Sequence, residues 1–177
     1  MAKNVSHSPW NGSVVGITPE IDATWLEACL ESAQETYLAA PWAPREERRA
    51  VLLRAADLLE AKAENFAQLM ALEIGKPVAL GRAEVARGVI TLRLSAQTLD
   101  RPADVSPDLS LDARAGSYRA VVRQVPVGPV LAIAPYNWPV NLALHKIGPA
   151  LAAGCPVILK GASSAALCTL ALARLLQ

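Results

Sequence analysis

The last third of the chain sets the strongest limit on its fold. Residues 130–134 form a short, continuous apolar run, and residues 141–153 carry helical spacing that stops at Gly154. A second apolar run follows at 156–159, then a second helical stretch at 164–176. Strands buried on both faces of a parallel sheet read as unbroken apolar runs, and the helix between them makes the crossover. This rhythm predicts an α/β fold with a parallel, doubly covered sheet. Ligands of such sheets bind just outside the carboxyl ends of the strands. Two places therefore stand out, residues 134–139 and 159–164.

The front of the chain has a different period. The Asn11-Gly12 turn signal introduces an extended piece at 13–17. Pro19, Glu20 and Asp22 open a helix with acids in its first turn, opposing the macrodipole. Leu26, Leu30, Ala33 and Tyr37 share one face of it, and Ala40-Pro41 stops it. A long helix is expected over 44–72, with Val51, Leu52, Ala55, Leu58, Leu59, Phe66, Leu69 and Met70 on its apolar stripe. Gly75 is placed as a C-terminal cap. Pro77 starts another helix, running to about 99 through Leu80, Ala83, Ala86, Ile90 and Leu94. Residues 100–116, broken by Pro102 and Pro107, read as a surface connection. Residues 117–127, rich in β-branched side chains, read as an edge strand reaching away from the core.

Composition excludes several classes. The chain holds 17 Lys plus Arg against 16 Asp plus Glu, interleaved, which is no footprint for a nucleic acid. With 53% hydrophobic residues it can bury a core, and 177 residues suggest one domain. The longest apolar stretch, 147–159, is interrupted by Pro149, Gly154 and Pro156, so no membrane partner is expected. The opening residues lack the apolar region of a secretory signal. Cys29, Cys155 and Cys168 form no CxxC pair and have no His at ligand spacing. Neither a disulfide framework nor a metal site is expected, and a reducing cytoplasmic setting is.

At the first strand end, two prolines stiffen a loop that presents Asn137. Its amide can donate to a developing oxyanion without ionising, or it can cap the following helix, and spacing alone favours the cap. At the second, Lys160 is followed by Gly161, Ala162, Ser163 and Ser164. A Lys there can hold cofactor hydroxyls or phosphates, or it can simply face solvent while Ser163 or Ser164 caps a helix. Neither GxGxxG nor GxxxxGK[ST] is present.

Taken together, Val125-Pro-Val-Gly-Pro-Val-Leu-Ala-Ile-Ala-Pro-Tyr-Asn-Trp-Pro139 and His145-Lys-Ile-Gly-Pro-Ala-Leu-Ala-Ala-Gly-Cys-Pro-Val-Ile-Leu-Lys160 resemble the NAD(P)-dependent aldehyde dehydrogenase superfamily. Arg48 with its Leu-rich helix, Glu73-Ile-Gly-Lys-Pro77 and Ala83-Glu84-Val85 follow the family's order upstream. The resemblance runs from about residue 14 to 177. It implies a truncated Rossmann-type cofactor-binding domain with a helical front (13–99), a connection (100–116), an oligomerisation-type strand (117–127) and two strand-helix units (128–177). It implies that Asn137 is the oxyanion donor, that Lys160 holds the adenosine ribose, and that Ala134, Pro135 and Tyr136 line the nicotinamide side. Tyr136 and Trp138 also flank the substrate channel. Lys146 and His145 are expected to be structural rather than chemical. The position three after the family's Lys is often Glu, which binds the ribose of NAD. Here it is Ser163, which leaves room and positive charge for NADP. Gly161 in place of Pro, and Ala165-Ala166 in place of Thr-Pro, are expected to loosen that loop.

The family's reaction uses a cysteine thiolate, hydride transfer to nicotinamide and a Glu that activates water. None of the three cysteines fits the nucleophile motif, and Glu73 matches an upstream element rather than the base. The resemblance thus implies an N-terminal portion of an enzyme that oxidises a small aldehyde as a homo-oligomer, inactive by itself. Two alternatives stand beside it. One is a non-catalytic binding or assembly module; the other is a coenzyme A-acylating relative with the same front half.

Overall fold

The computed structural model describes residues 3–39 and 43–177. Three two-stranded sheets, six α-helices and three single-turn 3-10 helices follow the chain among these residues. An antiparallel hairpin joins β1 (Lys3–His7) to β2 (Val14–Pro19), and Gly12 supplies the left-handed turn at φ 71°. Sequence reading placed the second arm of this hairpin and missed the first, whose polar Lys-Asn-Val-Ser-His alternates without an apolar face.

The first helix, α1 (Ala23–Ala39), starts after the acids rather than with them. Asp22 is its cap, its side chain accepting from the Trp25 amide at 2.9 Å. Only Ala33 of the expected face is buried; Leu26 and Leu30 remain exposed, and the Tyr37 hydroxyl reaches the Pro126 carbonyl at 3.1 Å. The stop expected at Ala40-Pro41 lies outside the described residues.

The single helix expected over 44–72 is two helices, α2 (Arg45–Ala61) and α3 (Ala63–Ile74), broken at Lys62 (φ −102°, ψ 16°). The break serves packing. Leu52, Ala55, Ala56 and Leu59 bury one stripe, and the turn at Lys62 re-aims Phe66, Ala67 and Met70. Val51 and Leu58, placed on the apolar stripe by spacing, are exposed. Gly75 ends α3 in the left-handed region (φ 69°), as expected.

The next helix, α4 (Val78–Gln97), begins where Pro77 predicts but turns the other way. Leu80, Ile90 and Leu94 face solvent, while Gly81, Glu84, Val85, Gly88, Val89, Leu92 and Ser95 are buried. The buried stripe mixes small residues with Val85, Val89 and Leu92. A Cβ on Gly88 would come within 2.8 Å of Leu144, and one on Gly148 of the facing helix within 2.6 Å of the Ser95 hydroxyl. Small residues let α4 and α5 (Asn141–Ala153) approach more closely than a leucine ridge would allow.

Beyond α4, only two residues of the expected 117–127 strand are paired: β4 (Val122–Arg123) lies antiparallel to β3 (Asp104–Val105). The short β3 gives it no more partner to match, and Pro126 removes a donor. The two strand-helix units appear where the rhythm places them. Strand β5 (Val130–Ile133) pairs in parallel with β6 (Val157–Lys160), α5 lies between them in sequence, and α6 (Ala166–Leu176) closes the chain. The sheet is covered well on one face only. Ala132 and Ala134 are buried, whereas Leu131 and Ile133 on the opposite face are each 55% exposed.

The expected serine cap of α6 is replaced by a buried acid. Glu73, from the end of α3, accepts from the Leu167 amide (2.7 Å), the Cys168 amide (2.8 Å) and the Ser6 hydroxyl (3.0 Å). An acid at a helix N-terminus satisfies orphan donors and meets the positive end of the macrodipole. Replacing Glu73 with Ala should destabilise the protein by about 3 kcal/mol, because three buried donors lose their acceptor. Glu73→Gln, which keeps one carbonyl oxygen, should cost about 1 kcal/mol. Urea denaturation of both variants checks the order.

Candidate functional site

Two loops stand side by side where the parallel strands end, at residues 134–139 and 161–165. The Ala134 amide donates to the Lys160 carbonyl at 2.9 Å, which ties them together. The sequence-derived residues fall on these loops. Ala134 is buried, Tyr136 is 58% exposed, Asn137 and Pro135 are exposed, and Lys160 and Ser163 are exposed on the neighbouring loop.

Asn137 does not cap α5. That helix starts four residues later, and its first amides, Val140 and Asn141, donate to Glu84 Oε1 at 2.8 and 3.0 Å. Glu84 is fully buried on α4. Its other oxygen takes the ammonium of Lys76, which is 9% exposed. Lys76 also donates to the Asn137 carbonyl at 2.7 Å and sits 4.2 Å from the centre of the Trp138 ring. Arg87 lies 5.4 Å from the same ring. The Asn137 side chain has no hydrogen-bond partner among the described residues, so its amide is available while its backbone is held.

The second loop is tight rather than loose. A Cβ on Gly161 would overlap the Thr169 side chain, whose hydroxyl donates back to Ala165 at 2.9 Å. Glycine here is a requirement of close approach. A single turn, Ser163–Ala165, leads into α6, and the Asn4 side-chain amide donates to the Ser163 carbonyl at 3.0 Å. Neither Ser163 nor Ser164 caps the helix. Among the described residues Lys160 makes no ion pair, so its charge stands beside neutral hydroxyls.

Other groups lie apart from these loops. Lys146 reaches only its own helix, at the Leu142 carbonyl (3.4 Å), and exposed His145 lies 3.4 Å from the Thr91 hydroxyl. A cleft of about 900 Å³, lined by Arg45, Arg48, His145 and Arg123 among others, includes neither Asn137 nor Lys160. Burial lowers the Arg48 guanidinium from its ordinary range, with Arg45 adding to the effect. Cys155 and Cys168 are buried and Cys29 is half-buried. Burial pushes the Cys168 thiol far up, and its contact with Glu73 pushes it further, so it is a packing group rather than a nucleophile. Among the described residues no group of three or more potential metal ligands gathers, and no helix is long and apolar enough to cross a membrane.

Sequence reading named the Glu73-to-Pro77 and Ala83-to-Val85 segments but gave Glu73, Lys76 and Glu84 no role. The signal was present. Glu84 falls within the stripe Gly81, Val85, Gly88 and Leu92, where a charge needs a buried partner.

The sequence profile of the aldehyde dehydrogenase family matches residues 2–177. The chain is 43% identical to 3-sulfolactaldehyde dehydrogenase of Priestia aryabhattai over 131 residues, covering 74% of this chain and 28% of that enzyme. It is 37% identical to aspartate-semialdehyde dehydrogenase 1 of Pseudomonas canavaninivorans over 165 residues, covering 93% and 35%. The crystal structure of NADP-dependent glyceraldehyde-3-phosphate dehydrogenase from Bacillus halodurans C-125 complexed with NADP superposes with a TM-score of 0.93 at 30% identity, covering 99% of this chain and 37% of that one. The loops and sheet described above are thus a segment of a known architecture, and the chain belongs to the aldehyde dehydrogenase family. It spans about a third of the length of these relatives.

The thiol environments give a direct check. At pH 8, iodoacetamide should label Cys29 first, and Cys168 should react only after unfolding, as mass spectrometry of peptides will show.

Proposed function

We propose that this chain is the front part of an NAD(P)-dependent aldehyde dehydrogenase that oxidises a small aldehyde to its carboxylic acid. The observation that carries the reading is the adjacency of the Asn137 and Lys160 loops at the carboxyl ends of β5 and β6. Asn137 offers an unengaged amide on a loop pinned through its own carbonyl. Such a donor stabilises the oxyanion that forms when a nucleophile adds to the aldehyde carbon, and it does so without a proton transfer. Ala134, Pro135 and Tyr136 continue the same strand end and would line the nicotinamide side.

The donor set of the second loop fits a dinucleotide. Lys160 supplies charge and hydrogen bonds for ribose hydroxyls, and Ser163 places a small neutral group where a carboxylate would repel a 2′-phosphate. When bound, the nicotinamide accepts hydride from the substrate. We read NADP as accepted by this site, in keeping with the NADP complex of the Bacillus halodurans relative. The thiol that adds to the aldehyde and the acid that activates water belong to residues outside this chain, since none of its cysteines lies on the two loops. Alone, the chain is inactive.

The same reading extends to assembly and setting. Val121, Val122, Val125 and Val127 are all more than half exposed on a segment with only two paired residues, which suits a strand completed in a homo-oligomer. Three free cysteines, two of them buried, suit the cytoplasm.

In the full-length protein, Asn137→Ala should lower kcat about 10²- to 10³-fold, as loss of one oxyanion donor does elsewhere. Full activity in that variant would refute the role given to Asn137. Ser163→Glu should raise the KM for NADP while leaving that for NAD nearly unchanged, as measured by steady-state reduction of each cofactor.

A further inference from the structure

We propose that Lys76 is a positioning residue for Asn137, an inference that rests on reading Asn137 as the oxyanion donor. The Asn137 amide is exposed and has no partner among the described residues, so what is held is its backbone, which sets the direction in which the side chain leaves the main chain. Two prolines stiffen the loop on either side, but neither fixes the peptide plane that follows Asn137. Lys76 does, by donating to its carbonyl at 2.7 Å. The same ammonium lies against Trp138, the next residue, at 4.2 Å from the ring centre. It is held in turn by Glu84, whose second oxygen takes the first amides of α5. One buried cation thus grips Asn137, its successor and, through Glu84, the start of the helix beyond.

Stability gives little reason for this arrangement. A buried ion pair is often no better than an apolar pair of the same volume. What the charge adds is direction. An aliphatic side chain could fill the space against Trp138 but could not hold the carbonyl, and the peptide plane would be free to turn toward water. A small error in the donor's aim is felt in the transition state, where the oxyanion must meet it at hydrogen-bond distance. The backbone fixes Lys76 as firmly as Lys76 fixes the loop, because left-handed Gly75 precedes it and Pro77 follows.

The test is a double-mutant cycle in the full-length protein. The assay is NADP reduction with whichever of glycolaldehyde, propionaldehyde and succinate semialdehyde the wild type oxidises fastest. Lys76→Met should lower kcat about tenfold while leaving NADP affinity, measured by calorimetry, unchanged. Lys76→Arg should restore part of the loss. In an Asn137→Ala background the same Lys76→Met change should cost less than about twofold, since its effect passes through Asn137. An equal loss in both backgrounds, or no loss in the first, overturns the proposal. If Asn137→Ala alone leaves kcat intact, the oxyanion reading falls and this inference falls with it. A slow Asn137→Ala enzyme beside a fast Lys76→Met enzyme refutes the positioning role alone. Should Lys76→Met fail to fold by circular dichroism, the Lys76→Met, Glu84→Gln pair, which removes both charges and keeps the cap oxygen, takes its place in the cycle.

Discussion

Two buried glutamates organise this chain. Each parallel strand is followed by a helix whose first amides need acceptors, and in both cases the acceptor comes from another part of the sequence. Glu84 on α4 serves α5, and Glu73 at the end of α3 serves α6. A local serine or asparagine cap would satisfy the same donors without linking anything. A remote acid locks the helical front of the chain to the sheet and sets where each strand end must lie. The loops that carry Asn137 and Lys160 inherit their positions from this pair of contacts.

The cost of such a device is desolvation, and the structure distributes the compensation unevenly. Glu84 has a cation partner in Lys76 as well as two amides. Among the described residues Glu73 has none; it collects two amides, the Ser6 hydroxyl and the positive end of α6. The close approach of α4 to α5 depends on Gly88 and Gly148, and its approach to α3 on Gly81, so the buried acid lies among small residues rather than beneath large ones. By contrast, the surface pairs, such as Arg82 with Glu64, join exposed groups and do little for stability, although the pairing holds the Glu64 carboxyl down to about 2.

Much of this was legible in the residues and some was not. Periodicity found the parallel strands and the boundary at Gly154, because short apolar runs and a left-handed glycine depend on local chemistry. The strand-end rule for parallel sheets marked the two loops, and motif resemblance pointed to the family. Spacing failed where small residues replaced large ones, as in α4, whose Leu80, Ile90 and Leu94 point outward while Gly81 and Gly88 face the core. It failed again at Lys62, where no proline or glycine marks the break between α2 and α3. The capping acids were out of reach for a different reason. Glu84 is 56 residues from the first amide it serves and Glu73 is 94 from its own, and no window of sequence contains both partners.

The Glu73 contact also has a consequence for the order of events. Its carboxyl group takes Ser6 on one side and Leu167 and Cys168 on the other, so residues near the two ends of this chain share one acceptor. The hairpin of β1 and β2 precedes α6 in the chain, yet this anchor is incomplete until the amides of Leu167 and Cys168 have been made. Until then Glu73 is an acid waiting in an otherwise apolar helix end. Within this chain the first hairpin is in that sense fixed only once its last helix exists.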